Sequence, residues 1–174
     1  MVRLISMMGL YFLVLVAVGI LRPIKNALAL DGLAEGDFYQ VYLVSAFVVL
    51  FAPIFNYLAD RIRWRTLIPA TAAFFALNLL GFRAVYSEGS ALLGMVFYGW
   101  YDLFAAVLVT QFFMAVQVFF NAREAKAAIP LVIAAGSLGV VFGGVITGLF
   151  ARTVGTPNLL LVAAGFVTMF AVAI

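Results

Sequence analysis

No cysteine and no histidine occur among the 174 residues, and only 10% of them are charged. Without thiol or imidazole, disulfides, thiolate metal sites, imidazole-ligated haem and Ser-His or Cys-His catalysis all lose their usual side chains. The shortage of charge excludes more. Soluble domains carry about a quarter charged residues, so a water-soluble globule is ruled out. What is present is apolar: 67% of the chain is hydrophobic and its mean hydropathy is +1.22. A membrane-crossing helix takes about 20 mostly apolar residues, and six such stretches consume most of this chain. No room is left for a soluble catalytic or nucleic-acid-binding domain. The formal net charge of +3 therefore bears on where loops lie rather than on nucleic acid.

Six apolar segments are legible, at about 4–30, 39–58, 66–85, 91–120, 127–151 and 158–174. Met1-Val2-Arg3 followed by an apolar run superficially resembles a secretory signal. However, Leu4 to Leu21 is long for a signal core and no small-x-small cleavage site follows it, so it reads as the first span. Arg3, Arg61, Arg63, Arg65, Arg123 and Lys126 fall on one side of the predicted membrane, against Arg83 and Arg152 on the other. That bias places the N-terminus in the cytoplasm, and the expected location is a bacterial inner membrane. Tyr39, Tyr42 and Tyr86 then belong to the outer aromatic belt, Tyr57 and Trp64 to the inner one. The last segment reaches Ile174 with no charged or aromatic anchor after it, so the 174 residues are expected to be part of a longer chain.

Charges inside the spans are few. Arg22, Lys25 and Asn26 share one helix face at spacings of three and four. Helical rise carries Lys25 about 33 Å from Arg3, near the outer edge of a ~30 Å core. Two readings fit: both cations snorkel to the outer headgroups, or they form a functional cation pair. Pro23 removes one backbone donor between them. Asp102 is the acid within an apolar segment, about 17 Å past Ala91 and at a depth similar to that of Arg22 and Lys25. A carboxylate there needs a partner, a proton or water. A bond to Lys25 or Arg22 would serve equally as a helix lock or as a breakable gate.

Asp60-Arg61-Ile62-Arg63-Trp64-Arg65 forms the inner loop after the second span. With Leu58-Ala59 it resembles the Gly-x-Leu-(Ala/Gly)-Asp-Arg-x-Gly-Arg-Arg loop of the major facilitator superfamily. Asn56, Arg63 and Trp64 depart from that pattern; a merely basic loop is the competing reading. The resemblance implies that Asp60 caps a helix and pairs with arginines such as Arg61 and Arg65 at an inner gate. In the fifth segment, Gly139-x-x-x-Gly143 and Gly144-x-x-x-Gly148 are expected to give close-approach packing faces.

Three further motifs fall in order along the chain. Leu21-Arg22-Pro23-Ile24-Lys25-Asn26 is similar to the Leu-Arg-x-x-Lys-Asp at the end of the first helix in the ATP/ADP translocases of plastids and intracellular bacteria. Tyr101-Asp102-Leu103-Phe104 resembles their Glu-Leu-Trp stretch in helix four, and Ala125-Lys126-Ala127-Ala128-Ile129-Pro130-Leu131 their Ala-Lys-x-x-x-Pro-Leu. The resemblance spans most of the 174 residues but only the first half of a twelve-helix family member. It implies an all-α membrane fold of two inverted three-helix repeats, the N-terminal half of a facilitator-type transporter. It also implies substrate contacts by Arg22, Lys25, Asn26 and Asp102, and a gate or structural role for Lys126.

The expected function is secondary transport of an anionic, nucleotide-like or phosphorylated solute by exchange or ion coupling. Cations on cavity-lining helices suit such a solute, and no Gly-x-x-x-x-Gly-Lys loop for ATP hydrolysis is present. Expected partners are membrane lipid, the anionic solute, and a C-terminal six-helix half or other membrane subunits, with no cofactor and no nucleic acid. The competing reading is a transporter-derived subunit that has become a scaffold in a larger complex. A membrane enzyme has only Asp102, Lys25 and hydroxyls to work with.

Overall fold

The computed structural model describes residues 2–32, 38–50, 53, 57, 62–86 and 89–174. Among them are six helices: α1 (Val2–Gly32), α2 (Phe38–Val49), α3 (Trp64–Ala84), α4 (Ala91–Phe119), α5 (Ala122–Val154) and α6 (Thr156–Ala173). No strand occurs among the described residues. Apart from α2, each helix is long and apolar enough to cross a membrane.

Local chemistry sets the helix ends. Ser90 Oγ accepts the Leu93 N–H at the start of α4. Asn121 and Glu124 form a reciprocal capping box at the start of α5, at 2.9 and 3.3 Å. That box corrects the expected start at 127: Arg123, Glu124 and Lys126 belong to the first turns of α5, not to a loop. Gly155, at φ 81°, closes α5 and opens α6 with no other residue between them. A residue bearing Cβ is disfavoured at that backbone angle. A turn, Leu50 N–H donating to Phe47 O at 3.2 Å, follows α2; most of the second expected span beyond it, as far as 58, lies outside the described residues.

The helix α1 stands at the centre of the described structure. Half of its apolar window is buried, against 22% for α5, and it packs against α4, α5 and α6. Around it, α2 lies on α4, and α3 lies on α6 and α4. The pairs α1–α5, α2–α4 and α3–α6 map onto one another when each helix is exchanged for the one three places along. The core is a single cluster in which Phe75, Phe97, Phe104, Phe112 and Phe170 are fully enclosed. Trp100 stacks on Phe97 and Phe104 at 5.5 and 5.2 Å between ring centres.

Two kinds of contact hold α1. Along its middle, glycines of α5 let the backbones touch. A Cβ on Gly139 would lie 2.6 Å from Phe12 O, and one on Gly143 would collide with Val16 O. Gly19 of α1 answers from the other side, where a Cβ would lie 2.5 Å from Val140 O. Thr147 Oγ1 lies 3.3 Å from Ile20 O and 3.1 Å from Gly143 O, bonded to both helices. The seam thus runs through Gly136, Gly139, Gly143 and Thr147. Gly144 and Gly148, the second expected face, have nothing within 4 Å of a Cβ among the described residues, because one residue further along turns the face by about 100°.

Candidate functional site

Toward its C-terminal end α1 changes character. Gly94 of α4 lets that helix close on the α1 backbone, since a Cβ there would sit 2.6 Å from Leu28 O. Two turns further along α4, Tyr101 OH donates to Val18 O at 3.3 Å. Between these two contacts Lys25 Nζ donates to Asp102 Oδ1 at 2.6 Å. This is the salt bridge found among the described residues, and its side chains are 11% and 22% exposed. The second carboxylate oxygen, Asp102 Oδ2, accepts from Ser45 Oγ of α2. Lys25 also lies 3.8 Å from the ring centre of Tyr98 and 4.5 Å from that of Tyr101. Both distances fall within the range of cation–π attraction.

The depth match computed from helical rise is therefore met by direct contact: Lys25, not Arg22, takes the carboxylate. Arg22 is exposed and makes no hydrogen bond or ion pair among the described residues. Asn26 is exposed as well. It lines a groove of about 250 Å³ between α1, α2 and α4, together with Val41, Tyr42 and Tyr98. Tyr42 and Tyr98 meet edge to face at 6.4 Å. Tyr98 thus has one role in the groove and another over the Lys25 ammonium. Tyr42, expected in the aromatic belt, is a groove wall.

The inner residues stand apart from this centre. Arg65 is exposed with its guanidinium 5.3 Å from the Trp64 ring, and Trp64 packs edge-on against Phe119 at 5.3 Å. Lys126 is exposed near the start of α5 and has no ion pair among the described residues. Of the proposed inner gate, Asp60 and Arg61 lie outside the described residues. Sequence reasoning missed Ser45, Tyr98 and Tyr101. A serine in an apolar helix and tyrosines near a membrane edge have bland explanations, and only the fold shows that they face one ion pair.

Chemically, the arrangement holds one neutralised pair near an open groove lined by Asn26, two tyrosines and aliphatic residues, with Arg22 free of any ion pair among the described residues. A partly buried pair of this kind survives through geometry and extra contacts, here a hydrogen bond from Ser45 and two aromatic faces over the ammonium. No metal-binding cluster of acidic residues occurs among the described residues. Fold and site together define an all-helical integral membrane protein with an ion pair buried between spans. No protein-family model, curated protein or solved structure matches the chain.

Proposed function

We propose that the protein is a secondary transporter of the facilitator type, moving an anionic solute, nucleotide-like or phosphorylated, through a cavity bordered by α1, α2 and α4. The observation that carries this reading is the Lys25–Asp102 pair beside the groove, with Arg22 unpaired on the same outer stretch of α1. An exposed guanidinium at membrane depth calls for water, an anion or another helical unit. An anion entering the groove would compete with Asp102 for Lys25 and gain Arg22 as a second partner. Release of Asp102 would uncouple α1 from α4. The pairing of helices supports the same reading, because two inverted three-helix repeats exchange partners in this pattern.

The test is exchange of radiolabelled nucleotide or phosphate by the complete protein in proteoliposomes. Lys25→Ala and Arg22→Ala should each lower uptake by tenfold or more, and Asp102→Asn should do so at unchanged reconstitution. Normal exchange by Lys25→Ala and Asp102→Asn would refute the site. Absence of any exchange by the parent protein, with partner subunits copurifying, would instead favour a scaffold.

A further inference from the structure

A second concavity lies on the opposite side of the bundle, where α3 and α6 pack together. It encloses about 620 Å³. Its floor is made of small residues, Ala76 and Ala164, with Gly165 beside them, and Leu77, Leu80 and Leu161 form its walls. The polar group within it, the Thr168 hydroxyl, is satisfied by Ala164 O at 2.8 Å. The lining runs from Pro69 to Leu80 on α3 and from Leu161 to Val172 on α6. Both stretches measure about 17 Å at helical rise, close to the ~15 Å depth of one bilayer leaflet.

The two lining ladders end at the same place. One step of three residues beyond Leu80 is Arg83, and three residues before Leu161 is Asn158. These residues join across the mouth of the groove, Arg83 Nε and Nη2 donating to Asn158 Oδ1 at 3.3 and 3.1 Å. The amide's own N–H is committed to Val154 O at 2.7 Å. Arg83 makes no ion pair among the described residues. Its remaining N–H groups and its positive charge have no partner among the described residues.

We infer that this groove is a binding site for one acyl chain of an anionic phospholipid, whose phosphate is held by Arg83. Shape and chemistry favour a lipid chain as the occupant: an apolar groove about one leaflet long that ends at a cation matches an acyl chain joined to an anionic headgroup. Charge decides the headgroup. A guanidinium fixed by a neutral amide complements a phosphate bidentately, and the adjoining Arg152 adds positive charge at the same end of the bundle.

The test is native mass spectrometry of delipidated protein titrated with phosphatidylglycerol or with phosphatidylcholine of the same acyl chains. Phosphatidylglycerol should bind about tenfold more tightly, because both lipids offer Arg83 a phosphate but only phosphatidylcholine sets a cationic choline beside it. Arg83→Gln should abolish that preference while Arg83→Lys retains part of it. Gly165 has open space around a Cβ, so Gly165→Leu should fill the groove without disturbing the fold and lower the affinity for both lipids. Equal binding of the two lipids by the parent protein would overturn the proposal, as would full binding by Gly165→Leu. Because the chain has no cysteine, Gly165→Cys gives a unique probe. Its crosslinking to a protein helix in native membranes, in place of labelling by a lipid-borne reagent, would also overturn it.

Discussion

The helix α1 is held by two seams that follow opposite rules. Against α5 it is dry, backbone on backbone, with glycines at the contacts and one threonine bonded to both sides. Against α4 and α2, toward its C-terminal end, it is held by an ion pair, a serine and two tyrosine faces beside an open groove. The first seam leaves no room for an alternative arrangement, since any added atom strikes a carbonyl. The second is made of interactions that water or an anion can replace in kind. One helix therefore joins a close-packed partner to one held by polar contacts, the arrangement on which the proposed gating role rests.

The largest expected effect comes from prising the dry seam apart. Gly143→Leu should cost more than about 3 kcal/mol, beyond ordinary overpacking, because its Cβ would already meet the Val16 carbonyl. Loss of a monodisperse peak in detergent gel filtration would report it. Gly144→Leu, one residue away in open space, should shift stability by no more than about 0.5 kcal/mol. Comparable damage from both variants would erase the distinction between the faces.

The polar seam should respond differently. Lys25→Ala strands a partly buried carboxylate and should cost about 3–5 kcal/mol, read as a lowered unfolding midpoint. The apolar pair Lys25→Met with Asp102→Leu should recover nearly all of that stability and yet remain silent in transport. If the double variant were as unstable as the single one, the pair would be a lock and not a gate. The smallest effect belongs to Ser45→Ala, which should cost about 1 kcal/mol for one hydrogen bond to the carboxylate. An unchanged midpoint would remove α2 from the site.

How much of this was legible in the sequence depended on whether the signal was periodic or relational. Spans could be read because about 20 apolar residues have few other uses, and the boundary errors fell where polar residues start helices. Arg123, Glu124 and Lys126 looked like loop but complete a capped first turn. The depth of Lys25 and Asp102 followed from rise per residue, so their meeting could be anticipated. Which cation would win could not, because Arg22 and Lys25 differ by less than a full turn. The two glycine faces were equivalent on paper, and only the rotation of α5 against α1 selected Gly139 and Gly143. Ser45 and Tyr98 carried no mark at all: their roles exist only relative to a carboxylate 57 residues downstream of one and one turn from the other.

The ion pair also has a calendar. Lys25 and Asp102 are separated by 77 positions, so at 5–20 residues per second the ribosome needs about 4–15 s to deliver the carboxylate after the lysine. Through that interval α1 must rest in lipid with its ammonium stretched toward the headgroups. The pair closes only when α4 arrives. Assembly of this bundle is thus timed by its own chemistry, with the most central helix waiting longest for the neighbours that enclose it.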